Sequence, residues 1–204
     1  MNNTKEKIVS VASEMFVKEG IKAVRMDDIA HRCSMSKRTL YELFTDRTEL
    51  ISLALQHYLD SMHRHGEEAV VRAENAFHAV WLRFTQVEPA HKLTSKVLFQ
   101  LKRYYPELAT DFIIRMHEAG VANILDTLKV GVEEGLVMGS LDLHFYSRAM
   151  TNYIIGLDII EENTASTGLN VDDNSIPNAV VLFLRGIATD KGRTYIDNNF
   201  LKQQ

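Results

Sequence analysis

The sequence predicts an all-α protein of about nine helices, in which a small three-helix domain precedes a larger helical domain. Apolar residues recur every three to four positions in almost every segment, which is the period of an amphipathic helix. No segment shows the alternation of a half-buried strand, and there is no internal repeat or low-complexity tract. The length of 204 residues favours one small and one larger domain over a single one.

Composition and the N-terminal residues exclude several classes of protein. Hydrophobic residues make up 46% and charged residues 25% of the chain, as in ordinary soluble proteins. No apolar run approaches the ~20 residues that span a bilayer, and the start MNNTKEK lacks the apolar core of a signal peptide. We therefore expect a cytoplasmic protein with no membrane partner. The single cysteine, Cys33, falls on the apolar side of a predicted helix, which favours a structural thiol over a redox sensor.

The first predicted helix runs from Thr4, a suitable N-cap, to Glu19. Gly20 then supplies the left-handed residue with which many helices end. The apolar face of this helix consists of Ile8, Val11, Ala12, Met15 and Phe16.

Residues 26–44, MDDIAHRCSMSKRTLYELF, predict two short helices joined by a tight turn. Asp27 and Asp28 suit a first helical turn, because carboxylates there meet unpaired N–H groups and the positive end of the helix dipole. Ser36 is a suitable N-cap for the second helix, which turns Leu40 inward. This layout is a helix-turn-helix.

The outward face of the second short helix is polar and basic. Cations pair with guanine edges or phosphates and hydroxyls reach phosphate oxygens, so this face suits the major groove of DNA. A solvated basic face on an ordinary helical protein is the alternative interpretation of this stretch taken alone. The residues on this face are Ser36, Lys37, Arg38, Thr39, Tyr41 and Glu42.

A long fourth helix is predicted after the pair. Asp46 is a candidate N-cap with Glu49 three residues later, which is the pattern of a capping box. An apolar stripe then runs to Met62, and we expect the helix to reach about Arg64 and to link the two domains.

Beyond Gly66 every segment again has the helical period, with apolar stripes that begin at Val70, Leu93 and Leu108. Val70 and Phe77 belong to the same predicted stripe. Breaks are predicted at Glu88-Pro89, at Tyr105-Pro106 and at the glycines 131, 135 and 139.

The C-terminal part predicts two further long helices around a loop. Asp142 can cap the first of these. Residues 161–177 are polar, have no period and predict a mobile loop, with Pro177 in the first turn of the final helix. A segment near Ile196 and Phe200 is expected to extend that last helix.

The net charge of −4 is unevenly distributed. Residues 1–64 carry ten Lys and Arg against nine Asp and Glu, whereas the remainder carries 13 against 18. A local basic face on an otherwise acidic chain is typical of a site-specific DNA-binding protein rather than of one that coats nucleic acid. The cations around the proposed DNA face are Lys22, Arg25, Lys37, Arg38 and Arg47.

Residues 4–55 resemble the DNA-binding domain of the tetracycline-repressor (TetR) family of bacterial transcriptional regulators. The matching residues, in order, are Phe16, Gly20, Met26, Ile29, Ala30, Ser36, Thr39, Leu40, Tyr41, Phe44, Arg47 and Leu50. The resemblance implies a helix-turn-helix DNA-binding domain at residues 1–46 and a helical effector-binding and dimerisation domain at residues 47–204. Four residues depart from common family choices. They are Arg25, Ser34, Glu42 and Leu43. Ser34 is expected in a left-handed conformation, which glycine enters at no steric cost, and Glu42 places an acid near phosphates.

The resemblance implies a repressor that binds a palindromic operator as a homodimer and is released by a small-molecule effector. Arg25 and Arg47 would then position the DNA backbone, while Lys37, Arg38, Thr39 and Tyr41 form the reading surface. Ser36 is a further candidate DNA-binding residue. The larger domain of such proteins holds an effector pocket, although each candidate is individually more typical of plain core. The candidate pocket residues are Trp81, Phe84, Phe112, Met116 and Tyr153. The candidate dimer residues, on the last two long helices, are Ile155, Ile159, Val181 and Leu184.

Other chemistries find little support in the sequence. His57, His63 and His65 form the densest group of histidines, but no Cys or acidic partner completes a set of four metal ligands. Gly-x-Ser-x-Gly and Gly-x-x-x-x-Gly-Lys motifs are absent. No cofactor is predicted. Two alternatives to a ligand-responsive repressor stay open: a DNA-binding regulator with no small-molecule input, and an enzyme on a helical scaffold.

Overall fold

In the computed structural model, residues 3–85, 95–167 and 175–201 are described, and they form ten α-helices. Within these ranges the side chains of Ala69, Ser95, Lys96 and residues 157–167 are not described. The all-α prediction is confirmed, with one helix more than expected. The helices are α1 (Asn3–Glu19), α2 (Met26–Arg32), α3 (Lys37–Leu43), α4 (Arg47–Arg72), α5 (Ala76–Thr85), α6 (Ser95–Tyr104), α7 (Pro106–Glu133), α8 (Leu143–Thr167), α9 (Ser175–Ile187) and α10 (Asp190–Asn199).

The first three helices form as the sequence predicts. Gly20 ends α1 with φ +92°, and its N–H donates to the carbonyl of Phe16 at 3.0 Å. Ser34 has φ 56°, so the expected left-handed residue in the α2–α3 turn is confirmed. Ser36 caps α3 by accepting a hydrogen bond from the backbone N–H of Thr39.

The start of α4 follows the predicted cap, but the helix is longer than predicted. Asp46 Oδ1 accepts a hydrogen bond from the N–H of Glu49 at 2.8 Å. The Glu49 carboxylate accepts in turn from the N–H of Thr45 at 2.6 Å. The helix continues to Arg72 instead of about Arg64. The assignment of Val70 to the Phe77 stripe was therefore wrong, because Val70 lies on α4 and is 44% exposed.

The chain divides into two compact units, each with its own apolar cluster. Unit 1 consists of Met1–His63 and Glu88–Met116, so α6 and the start of α7 pack with the helix-turn-helix. Unit 2 consists of Arg64–Val87 and His117–Gln204. The largest buried side chains of unit 1 include Phe44, Ile29, Leu40 and Leu101, and those of unit 2 include Phe77, Leu128 and Met150.

The C-terminal part differs from the sequence prediction in two places. The predicted loop at residues 161–177 is largely helical in its described part, because α8 continues to Thr167 and α9 begins at Ser175. No glycine or proline occurs between residues 161 and 167, so nothing there breaks the helix. Residues 168–174, and the predicted break at Glu88-Pro89, lie outside the described residues. Pro177 is in the first turn of α9, as predicted.

The final segment is a separate helix and does not extend α9. Thr189 caps α10 by accepting a hydrogen bond from the N–H of Gly192 at 3.1 Å. Gly131 lies inside α7, so it is not a break; the chain turns at Gly135, which has φ +70°. Val137 and Ala188 form an isolated bridge, and the described ranges contain no strand. None of their helices is long and apolar enough to cross a membrane.

Candidate nucleic-acid interface

The N-terminal half of α3 presents a polar and basic surface to solvent. Ser36, Lys37, Arg38, Thr39 and Tyr41 are all exposed, and 89% of the Arg38 side chain is accessible. The hydroxyls of Ser36 and Thr39 are hydrogen-bonded to each other at 2.9 Å. Tyr41 is 46% exposed although it is a large aromatic residue. The structure thus brings these five predicted residues together on one short helix.

Lys37 joins α3 to the preceding helix. Its Nζ lies 2.9 Å from Oδ2 of Asp27 in the first turn of α2. The hydrogen bond to Asp27, together with the charge of that carboxylate, raises the pKa of Lys37 above its usual value. Lys37 therefore stays cationic at neutral pH. Both side chains are more than half exposed, so the pair itself contributes little and can open when DNA offers a phosphate or a guanine edge.

Glu42, whose place near phosphates the sequence left unexplained, pairs with Arg38 on the next turn of α3. The Arg38 Nε lies 3.0 Å from Oε1 of Glu42, in the i, i+4 arrangement. Both side chains are well exposed, so the pair is weak and holds the guanidinium over the outer face of the helix.

Arg25 occupies the residue before α2 and is exposed. Its backbone N–H donates to Oδ2 of Asp28 at 2.7 Å, which fixes the start of the helix. Cys33, at the other end of α2, is half-buried, and burial raises the pKa of its thiol. That environment suits a structural thiol, as the sequence predicted.

Arg47 is placed differently from the phosphate contact that the resemblance implied. Its guanidinium turns inward and donates to the carbonyls of Ile21 and Val24, the latter at 2.9 Å. It also donates to the hydroxyl of Tyr105 at 2.6 Å. These three acceptors occupy both terminal nitrogens, so in this structure Arg47 joins the α1–α2 connection to the end of α6 and is not a member of the exposed α3 surface.

The sequence of this region matches a known family. Residues 8–54 fit the model of the family described as "Bacterial regulatory proteins, tetR family", and this segment covers most of α1, all of α2 and α3, and the start of α4. Residues 8–54 therefore form a TetR-type DNA-binding domain. Proteins of this family and fold are transcriptional regulators and in general not enzymes.

Relatives and solved structures show similarity to this chain beyond the N-terminal segment. The chain is 27% identical over 141 residues to the uncharacterized HTH-type transcriptional regulator YhgD of Bacillus subtilis, which covers 67% of this chain and 71% of that protein. It is 40% identical over 55 residues to the HTH-type transcriptional activator FasR of Mycolicibacterium smegmatis, or 27% of this chain and 25% of FasR. A solved transcriptional regulator from Cytophaga hutchinsonii has a TM-score of 0.74 at 16% identity, over 90% of this chain and 98% of that one. The last similarity shows a common fold.

The TetR-type DNA-binding domain of this chain carries an ion pair where α4 begins. Lys5 Nζ lies 2.8 Å from Oε1 of Glu49, and it also lies 4.9 Å from the centre of the Phe44 ring. The hydrogen bond from Lys5, followed by the one from the backbone of Thr45, lowers the pKa of Glu49 to about 2. The pair therefore connects α1 to the first turn of α4.

This lowered pKa predicts how the stability of the domain depends on pH. The pKa of Glu49 in the folded domain lies below the ordinary value of 4.5. The contribution of Glu49 to the stability of the domain is therefore complete above about pH 4.5 and is lost as the pH falls towards about 2. The variant Glu49→Gln should melt at a lower temperature than the wild type at pH 7, and the difference should close between pH 4.5 and 2. Thermal unfolding followed by circular dichroism measures this. Glu42→Gln, which removes a more exposed pair, is the control. A difference in melting temperature that is constant across this pH range would contradict the ion pair.

The five candidate pocket residues are divided between the two units. Phe112 and Met116 belong to the cluster of unit 1, where Phe112 is buried beside Tyr58 at 6.3 Å between ring centres. Trp81 and Phe84 pack against the cluster of unit 2. Tyr153 is 51% exposed on α8. Phe112 also lines a cavity of about 20 Å³, which is room for about one water molecule.

Two of the candidate dimer residues are buried within unit 2 itself. Val181 is 7% exposed and Leu184 is fully buried, whereas Ile155 is half-buried. The side chain of Ile159 lies outside the described residues. The expectation that Val181 and Leu184 form an intersubunit surface is corrected by this burial, because both belong to the core of their own chain.

Other apolar side chains of α8 and α9 are exposed instead. Leu182 is 70%, Phe145 56% and Tyr153 51% exposed. Phe145 packs edge-on against Tyr146, which packs edge-on against Phe183 at 6.1 Å between ring centres, so these aromatic residues connect the two helices. Sequence reasoning missed Phe145 and Leu182. The spacing of Phe145 from Tyr153, eight residues apart on one helix, was the available signal.

Proposed function

We propose that this TetR-family regulator is a repressor that binds a palindromic operator as a homodimer and is released by a small-molecule effector. The exposed N-terminal half of α3 carries the proposal, since it presents two cations, two hydroxyls and a phenol in a helix short enough to lie in a major groove. Lys37, Arg38, Thr39 and Tyr41 would contact base edges or phosphates, with Ser36 and Arg25 at the backbone.

A dimer is proposed because one helix-turn-helix reads only a few base pairs, and two half-sites double the discrimination. The exposed apolar residues Phe145, Tyr153 and Leu182 support a dimer surface on α8 and α9. Large exposed apolar side chains on neighbouring helices are typical of an interface.

Release by an effector requires a ligand that binds one arrangement of the dimer better than another. Helices α4 and α7 each contribute residues to both units, so they are the candidates for transmitting such a change. A regulator with no small-molecule input is the second candidate. It is favoured by the division of the five pocket candidates between two clusters.

Selection of bound duplexes from a random DNA library, followed by gel-shift titration, tests the proposal. Selected duplexes should contain an inverted repeat with half-site centres about one helical turn, ~34 Å, apart. Lys37→Ala or Tyr41→Ala should weaken binding by ~1–3 kcal/mol and relax specificity at one position of each half-site. Adding a small-molecule library to the complex then distinguishes an effector-released repressor from a regulator with no such input.

Matched controls exist within the chain. Lys129 has the same side-chain exposure as Lys37, 55%, and also pairs with an Asp, while Tyr104 at 45% matches Tyr41 at 46%. Lys129→Ala and Tyr104→Phe should leave affinity unchanged. Failure to select any duplex would overturn the proposal. Normal affinity in both Lys37→Ala and Tyr41→Ala would show that α3 is not the reading helix.

A further inference from the structure

Residues 20–25, which connect α1 to α2, are held by three side chains that are distant in the sequence. Arg47 of α4 binds two carbonyls of this connection, as described above. Gln100 of α6 accepts a hydrogen bond through Oε1 from the backbone N–H of Lys22 at 2.9 Å. Tyr105 binds Arg47. All of these residues belong to unit 1.

Not all of the hydrogen-bond donors of Arg47 have a partner among the described residues. Its terminal nitrogens donate to Ile21, Val24 and Tyr105, and the guanidinium lies 5.9 Å from the Tyr105 ring centre. Its Nε is buried and has no hydrogen-bond partner among the described residues. A buried, unpaired N–H is unfavourable and offsets part of what the other bonds contribute. Loss of one of the hydrogen bonds that Arg47 does make should therefore measurably weaken its hold on residues 20–25.

Gln100 fits closely against the start of the connection. A Cβ placed on Gly20 would lie 3.1 Å from Oε1 of Gln100, so the amide fills the space beside a glycine that already has a positive φ. The Gln100 amide thus fixes both the turn at Gly20 and the direction of the Lys22 N–H.

From these contacts we propose that Gln100 and Tyr105 are positioning residues for DNA binding. They act through Arg47 and the α1–α2 connection and do not touch DNA. The connection leads directly into α2, whose Asp27 is paired with Lys37 at the start of α3. A shift of the connection therefore moves the two helices that present the reading surface. Arg47 serves here as a clamp for two carbonyls and not as a phosphate ligand. This inference rests on the proposed function for its effect on DNA.

The first test removes one hydroxyl. Tyr105→Phe keeps the ring over Arg47 but deletes the bond to its guanidinium, and Tyr104→Phe changes the adjacent tyrosine in the same way without deleting a described hydrogen bond. Gel-shift titration uses the duplex selected by the wild-type protein. Tyr105→Phe should bind about five- to tenfold more weakly, as expected for one charge-assisted hydrogen bond. Tyr104→Phe should bind like the wild type.

The second test separates a clamp from a phosphate contact by salt dependence. Loss of one phosphate contact changes the slope of log K against log[salt] by about 0.9, whereas loss of a positioning group leaves the slope unchanged. Arg47→Gln removes both the charge and the guanidinium, so a clamp predicts weaker binding with the wild-type slope, whereas a phosphate contact predicts a slope smaller by about 0.9. Gln100→Leu should weaken binding, and Gln100→Glu, which keeps an acceptor for the Lys22 N–H, should restore it.

Hydrogen exchange provides a measurement that does not need DNA. Tyr105→Phe and Gln100→Leu should each speed exchange of the backbone amides of residues 20–25 by about tenfold relative to Tyr104→Phe. Thermal unfolding of both variants should remain cooperative. Faster exchange without any effect on DNA affinity would overturn the positioning role. Unchanged exchange would overturn the clamp itself. Should no duplex be selected by the wild-type protein, the proposed function fails, and the exchange measurement still decides whether the clamp exists.

Discussion

Leu184→Asp is expected to unfold the protein, whereas Leu182→Asp is expected to leave it folded and monomeric. Leu184 is fully buried in the cluster of unit 2, and Leu182, two residues away on α9, is 70% exposed. Removing a buried leucine costs ~2–5 kcal/mol, and a buried, unpaired carboxylate adds to this, against a total stability of ~5–15 kcal/mol. The exposed position carries no such penalty within one chain.

Sedimentation velocity and thermal unfolding at micromolar concentration separate the two effects. The wild type should sediment as a dimer and Leu182→Asp as a monomer with nearly the wild-type circular dichroism spectrum. Operator affinity should fall by at least a hundredfold in Leu182→Asp, since a monomer engages only one half-site. A dimeric Leu182→Asp would show that the dimer interface does not include this face of α9. A folded Leu184→Asp would contradict the burial of that residue.

Local signals made the N-terminal helices predictable. Gly20, Ser34 and Ser36 each impose a conformation or a cap on their own neighbourhood, and no distant contact is needed to interpret them. The exposed face of α3 follows as soon as Leu40 is assigned to the core, because the helical period then places its neighbours outside.

The exposed face of α9 was not predictable in this way. Residues 179–184 read AVVLFL, so every position is apolar and the period cannot indicate which side meets the core. Only packing decides that Leu184 is inside and Leu182 outside. The end of α4 was also not predictable from the sequence. The helix continues beyond Arg64 because no proline follows and Gly66 alone does not end it.

The role of Arg47 was not predictable either, because its partners are far away in the sequence. Tyr105 is 58 residues from Arg47, and no local pattern connects them. The resemblance assigned Arg47 to the DNA backbone from its position alone, whereas the direction of a long side chain depends on which acceptors the fold brings near it. Val24 and Ile21 supply those acceptors through their carbonyls, which carry no signal in a sequence.

Phe200→Ala is expected to destabilise unit 2 by ~3–5 kcal/mol, the range for removal of a large buried aromatic side chain. Phe200 is 4% exposed and stacks on Trp81, with ring centres 4.6 Å apart and planes within 9°. It also packs edge-on against Tyr195 at 5.6 Å. Trp81 is the single tryptophan of the chain, so its fluorescence reports on this contact without interference.

Urea unfolding followed by Trp81 fluorescence measures both effects of this substitution. Phe200→Ala should unfold at lower urea, and its native emission should move to longer wavelength because water reaches the uncovered indole face. Phe99→Ala, at a position that is 62% exposed, should change stability by less than about 0.5 kcal/mol. An effector that contacts Trp81 must use its other face or displace Phe200. If Phe200→Ala instead leaves both stability and emission unchanged, the stack is not formed in solution, and Trp81 is open to a ligand as the sequence suggested.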